Sequence, residues 1–217
     1  MTPMNICAMA KIKGLHALAI TDHNSALNLA AMENAAKAYD LLLLPGIEIT
    51  TREEVHLLAY FPSVEKALEM GGFLYTRLPE IRNDPRIFGE QCIMSDTDVL
   101  IANVAKLLIS ATDLTLNQTV RKVLELSGLV VPAHINRGNN GLLINLGLLP
   151  DDVYFPTLEV AEYLPVPQKI LKEHFILHSS DAHHLGDIFE AVYPLDVDVF
   201  SVKGILNAIG YGRVSLK

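Results

Sequence analysis

Short runs rich in Leu, Ile and Val recur along the chain at 16–21, 41–50, 55–61, 129–132, 157–160 and 175–177. Their length and β-branched content predict strands. Between them, apolar positions recur at helical spacing over 25–39, 63–71, 102–109, 115–127, 166–173 and 201–209, which predicts helices. At the start, Thr2 followed by Pro3 is an N-cap with proline at the first helical position, and Gly14 is a matching stop, so a further helix is predicted over 3–13. Strand and helix alternating in this way predict an α/β protein with a parallel sheet or barrel. The rhythm breaks over 73–101, where Pro79, Pro85 and the Asn83-Asp84 turn signal mark an insertion with a hairpin around Ser95 and Asp96.

The apolar runs end in residues with metal-binding chemistry. Leu18-Ala19-Ile20 leads into Thr21-Asp22-His23, the run from Leu41 into Glu48, the run from Leu129 into His134, and Phe175 to Leu177 into Ser180-Asp181-Ala182-His183. In a parallel barrel every strand ends on one face, so four segments distant in sequence are expected to converge on one cleft. Imidazole and carboxylate are the ligand set of Zn, Mn or Fe ions, and the candidates are Asp22, His23, Glu48, His56, His134, Asp181 and His183. In an extended segment Asp181 and His183 point the same way. The spacing of Glu48 and His56 suits one residue at a strand end and the other on the neighbouring strand. Taken singly these residues have plainer readings. His16, His174 and His178 read as hydrogen-bonded structural residues, and Asp22-His23-Asn24 would serve equally as an Asx turn or helix cap.

Composition narrows the classes. Of 217 residues, 50% are apolar and 19% charged, with 13 Gly and 11 Pro, which excludes a disordered chain and fits one domain over 1–217. No apolar run approaches the roughly 18 to 20 residues of a membrane span. Seventeen basic residues against 25 acidic give a net charge of −8, which repels a phosphate backbone at long range. Duplex nucleic acid is therefore not expected as a partner, and a phosphorylated substrate needs a local positive site such as bound divalent metal. Cys7 and Cys92 have no framework spacing, so no disulfide is expected. Without an apolar signal core near Lys11 and Lys13, a cytoplasmic location is expected.

The ordered series Ala19-Ile20-Thr21-Asp22-His23-Asn24, Pro45-Gly46-Ile47-Glu48-Ile49-Thr50, Glu54-Val55-His56-Leu57-Leu58, Pro132-Ala133-His134-Ile135 and Ser180-Asp181-Ala182-His183 resembles the polymerase and histidinol phosphatase (PHP) family of metallophosphoesterases. The resemblance runs to about residue 195. It implies a distorted (β/α)7 TIM-like barrel with up to three divalent ions at its C-terminal face. It further implies Glu48 as a bridging carboxylate, with His56 and His134 completing one metal, Asp181 serving a second, and His23 with His183 holding a third. Asp22 matches a motif aspartate that is a ligand or orients one. The family's His-x-His motif, on a first strand ahead of a helix like the one at Thr2, has no counterpart in these residues. The favoured reading is a start placed too late, the other a naturally shortened member. Either way the first barrel strand is missing, the metal that uses Asp181 lacks two ligands, fewer than three ions are expected, and the open barrel edge invites a homodimer.

The chemistry expected is hydrolysis of a phosphoester in a small phosphorylated metabolite, nucleotide or short oligonucleotide. Two metals lower the pKa of water and clamp the phosphoryl oxygens. Glu48 and Asp181 carry the catalytic positions, and Arg137, three residues past His134, is placed to contact phosphate through its guanidinium fork, with Arg52 a weaker candidate. His184 reads as rim. Two alternatives are a metal-dependent hydrolase of an amide or lactone, because fold and metals do not fix the scissile bond, and a weakened binding or regulatory protein.

Overall fold

The computed structural model describes residues 1–210 and 215–216. In chain order come helix α1 (Pro3–Ile12), strand β1 (Ala17–Ile20), helix α2 (Leu29–Ala38), strands β2 (Leu42–Thr50) and β3 (His56–Tyr60), helices α3 (Val64–Tyr75) and α4 (Pro85–Phe88), strands β4 (Cys92–Met94) and β5 (Leu100–Asn103), helix α5 (Leu116–Glu125) and strand β6 (Leu129–Pro132). Helix α6 (Leu142–Leu146), strands β7 (Val153–Tyr154) and β8 (Thr157–Glu159), helix α7 (Gln168–Glu173), strand β9 (Phe175–Leu177), a 3-10 turn (Leu185–Asp187), helix α8 (Val202–Ala208) and strand β10 (Ser215–Leu216) follow.

Strands β1, β2, β3 and β6 form one sheet in that order. β1 is parallel to β2, but β3 is antiparallel to β2, and β6 antiparallel to β3. β8 and β9 make a separate parallel pair, and β4 with β5 and β7 with β10 are antiparallel pairs. The class is thus mixed α/β, and the expected parallel barrel is corrected: no closed sheet forms among the described residues. The connection 51–55 explains the reversal. A parallel crossover takes about a dozen residues or more, whereas this segment closes as a turn in which the Thr51 N–H donates to the Val55 carbonyl at 3.0 Å. Glu54 takes the left-handed conformation at φ 57° within it.

The reversal keeps the polar ends on one side. Thr50 at the end of β2 faces His56 at the start of β3, and Leu57 faces Pro132 at the end of β6. Most of β2 is buried, as its continuous apolar run requires. Ile47, Ile49 and Leu57 from the sheet join Met32 of α2, Met70 of α3 and Val120 of α5 in one core. Fully burying each such side chain contributes roughly 1.5–3 kcal/mol. The start of α5 is fixed by a capping box in which Thr115 and Gln118 satisfy each other's backbone N–H groups.

Two local expectations differ from the structure. Thr2 sits at the N-cap of α1 but its side chain caps nothing in the helix. Its hydroxyl donates to Asp98 Oδ2 at 2.7 Å, and Asp98 Oδ1 accepts the Met4 N–H at 2.8 Å, so the cap comes from the turn between β4 and β5. The helix predicted over 102–109 does not form, because tertiary partners hold that backbone. Gln91 donates to the carbonyls of Val104 and Lys106 and accepts the Leu108 N–H, while the Leu107 N–H goes to the Ile81 carbonyl. Among the described residues no helix is long and apolar enough to cross a membrane.

Candidate metal centre

Glu48 is the hub of the polar face. It lies near the end of β2 with a buried carboxylate. Its Oε1 is 2.8 Å from His56 Nδ1 and 3.3 Å from His134 Nε2, while Oε2 is 3.3 Å from His23 Nδ1. His56 Nδ1 and His134 Nε2 are themselves 3.3 Å apart. Three strand ends supply these groups. β1 runs on into an isolated parallel bridge between His23 and Glu48, secured by the Glu48 N–H donating to the Asp22 carbonyl at 3.2 Å and the Asn24 N–H to the Glu48 carbonyl at 2.8 Å. Asn24, buried at φ 47°, accepts the Thr50 N–H and donates to the carbonyls of Leu108 and Ser110, locking the turn after His23. β3 begins at His56. His134 follows β6 at φ 28°, a conformation unusual for a residue with a side chain.

The electrostatics suit a cation. Burial opposes ionisation of Glu48, but hydrogen bonds from His134 and His56 and the neighbouring imidazole charge outweigh it and hold the carboxyl well below its usual range. Burial depresses His23, against the attraction of Glu48 and with help from His56 and His183, which favours the neutral, metal-binding imidazole. For His134 burial also disfavours charge, but Glu48 raises its pKa, with Glu159 and Asp181 adding to the effect. One ligand atom each from His23, Glu48 and His56 lie within 4.8 Å of one another. His23 Nδ1 is buried and makes no hydrogen bond among the described residues. An orphaned imidazole nitrogen beside a carboxylate and a second imidazole is a donor set that fits a divalent cation.

The other sequence candidates are spread around this group. Asp22 does not join it: its Oδ2 accepts from Asn28 at 3.1 Å, and burial pushes its carboxyl up. Asp181 is not extended but left-handed, at φ 46°. The extended segment expected there is therefore corrected to a bend, but the two side chains still lie together: His183 Nδ1 donates to the Asp181 carbonyl at 2.9 Å and is 3.8 Å from Asp181 Oδ1. His183 approaches His23, with ring centroids 6.1 Å apart. The guanidinium of Arg137 is engaged by the Asp181 carboxylate. A cleft of about 670 Å³ is lined by Asp22, His23, Glu48, Asp181 and His183 but not by His56 or His134. His174 is structural, 2.7 Å from the Phe155 carbonyl.

Sequence reasoning passed over Glu159. It ends β8, is buried, and accepts the His134 N–H at 2.8 Å on Oε2 and the Ser179 hydroxyl on Oε1. Burial pushes its carboxyl up to about 7. The signal was present: an acid closing an apolar run, as Glu48 does.

No protein-family model matches the sequence, and no curated protein matches it significantly. Solved structures do share the fold. The lesion-specific endonuclease PfuEndoQ from Pyrococcus furiosus aligns over 100% of this chain and 53% of its own, at 19% identity and a TM-score of 0.63. Endonuclease Q in complex with a 27-mer duplex substrate, with an abasic lesion at the active site, aligns over 98% and 52% at 17% identity and a TM-score of 0.61. A protein from Bifidobacterium adolescentis described as a candidate metal-dependent phosphoesterase aligns over 95% and 91% at 20% identity and a TM-score of 0.56. The chain thus spans about half the length of the endonucleases it matches. Their duplex complex corrects one expectation. Endonuclease Q, which shares this fold over about half its length, is crystallised with a duplex DNA substrate, so the net charge of −8 here does not exclude that partner. Summed charge fixes the field far from the molecule, not the potential inside a cleft that binds cations.

Proposed function

We propose that the chain is a metal-dependent hydrolase of phosphoester bonds, of the PHP type its motifs resemble. The observation that carries this reading is the convergence of His23, Glu48 and His56 from three strand ends. A bound divalent cation supplies positive charge that activates water near neutral pH and relieves charge on the phosphoryl oxygens. Glu48 turns its two oxygens to different imidazoles, Oε1 to His56 and Oε2 to His23, which suits a carboxylate shared between two cations. His134 completes the side of His56. Across the cleft, Asp181 and His183 are the remaining ligands. Asp181 would help to hold a cation there, and Arg137, whose guanidinium pairs with that carboxylate, would offer its fork to a phosphoryl oxygen beside it.

The cleft, about 670 Å³, has the volume of an ordinary small-molecule site and suits one nucleotide-sized phosphoester. The shared fold of Endonuclease Q supports a phosphodiester within nucleic acid, duplex included, as the substrate class. The test is turnover of bis(p-nitrophenyl) phosphate, p-nitrophenyl phosphate, an abasic-site duplex and a p-nitroanilide amide, each with Mn²⁺ and with chelator. Mn²⁺-dependent cleavage of a phosphodiester, lost at least about 100-fold in Glu48→Gln, is expected. Turnover of the amide alone, or equal turnover in Glu48→Gln, would overturn the reading.

A further inference from the structure

We infer that Glu159 is a positioning residue, whose single buried carboxylate holds the two halves of the candidate metal centre in register. The inference rests on the metal-centre reading above and goes beyond it by naming what keeps the ligands apart and aligned.

The centre is assembled from two separate sheets. His23, Glu48, His56 and His134 belong to the sheet of β1, β2, β3 and β6, whereas Asp181 and His183 follow β9, which pairs only with β8 among the described residues. Among the described residues no strand ladder joins β6 to β8. Side chains cross that seam instead: Asn136 exchanges hydrogen bonds with Ala161, Arg137 engages Asp181, and Glu159 bonds the backbone of His134 itself. The Glu159 backbone carbonyl accepts the Ile135 N–H at 3.0 Å, and its Oε2 accepts the His134 N–H at 2.8 Å. On the other side its Oε1 accepts the hydroxyl of Ser179, two residues before Asp181. One side chain therefore grips the backbone of a ligand in the first sheet and the segment that carries two ligands of the second.

Two further observations separate this from a merely satisfied buried acid. His134 is held at φ 28°, and such a conformation persists only where its surroundings over-determine it. The bonds from Glu159 to the N–H groups of both His134 and Ile135 do so. Moreover, Glu159 is only 4% exposed, and an anion in that setting is costly unless its acceptors are used. Both oxygens already have a donor, so the carboxylate acts through His134 and Ser179, and Glu159 need not touch the cation itself.

Co²⁺ binding to the metal-free chain tests this, because the visible absorption of Co²⁺ reports its coordination geometry. The variants are Glu159→Gln, Glu159→Ala and Ser179→Ala, each checked by circular dichroism and cooperative unfolding. Glu159→Gln keeps a carbonyl for the His134 N–H and an amide N–H for Ser179 Oγ, so it is expected to keep the wild-type spectrum and an affinity within about threefold. Glu159→Ala is expected to bind about 10- to 100-fold more weakly, the range found when groups that orient metal ligands are removed, and with an altered spectrum. Ser179→Ala should fall between. Wild-type affinity and spectrum in Glu159→Ala would overturn the inference. If that variant does not fold, an unchanged Ser179→Ala overturns it instead. Loss in Glu159→Gln equal to that in Glu159→Ala would make Glu159 a ligand rather than a positioner. No Co²⁺ uptake by the wild type would instead overturn the metal-centre reading, and this inference with it.

Discussion

Three imidazoles face the Glu48 carboxylate, and their proximity outweighs the cost of burying it as an anion. The converse holds for His134, whose raised pKa depends on Glu48. In metal-free Glu48→Gln the largest attraction is gone, while burial and the smaller pull of Glu159 and Asp181 remain, so the His134 pKa should fall from its wild-type position, as an NMR pH titration of the histidines would read. An unchanged or higher pKa in the variant would contradict this account. Cys7 gives a second residue-scale test. It is fully buried in the core, and burial, with Asp98 adding, raises its thiol pKa to about 11 from 9.0. A thiol raised on folding contributes stability that is complete below pH 9 and lost as the pH rises through 11. Denaturant midpoints should therefore decline from pH 9 to 11 less steeply in Cys7→Ala than in the wild type. In the native state a thiol reagent should modify the half-buried Cys92 and spare Cys7. At this scale the sequence was informative where a ligand type closes an apolar run, as at His23, Glu48 and His134. It was silent on conformation: nothing local announces the left-handed backbone of Asp181 or His134, the latter fixed by long-range hydrogen bonds to Glu159.

Elements were legible wherever the local pattern agrees with the hydrogen-bond partners the chain finds. The runs at 129–132 and 175–177 are strands with those bounds, and α5 starts at its capping box. The failure at 102–109 has the opposite cause, since Gln91 and the segment around Ile81 supply the partners and periodicity cannot see them. The antiparallel turn of β3 was available from the shortness of 51–55 but is hidden by the absence of a Gly or Asn turn pair. Two substitutions test elements. Asp98→Ala removes the acceptor for the Met4 N–H and the Thr2 hydroxyl, and should cost about 1 kcal/mol, as loss of a cap does, with a Tm lower by about 2–4 °C. Gly141 opens α6 and closes the turn after His134. A Cβ there would lie 2.3 Å from the Arg137 carbonyl and 2.9 Å from that of His134, so backbone must move. Gly141→Ala is expected to cost roughly 1–3 kcal/mol and to weaken metal binding through His134. Calorimetry and metal titration of the same preparation check both parts.

For the whole molecule the open question is how a chain with net charge −8 would hold a polyanion. Its far field slows encounter with phosphate, so attraction must be local, and the acidic cleft becomes attractive only when cations occupy it. Association with an abasic-site duplex should therefore depend on the divalent ion. Fluorescence anisotropy is expected to show little binding in chelator, clear binding with Mn²⁺, and loss of the Mn²⁺-dependent part in Glu48→Gln. The salt dependence sharpens this. A duplex held by an extended basic surface loses affinity with a logarithmic slope of about −0.9 for each phosphate neutralised, which for six to ten contacts is steep. A chain that relies on one or two cations in a cleft should show a slope equivalent to only about two or three phosphates. A steep slope in chelator would mean that a basic face outside the cleft carries the duplex, and the metal centre would then serve cleavage alone.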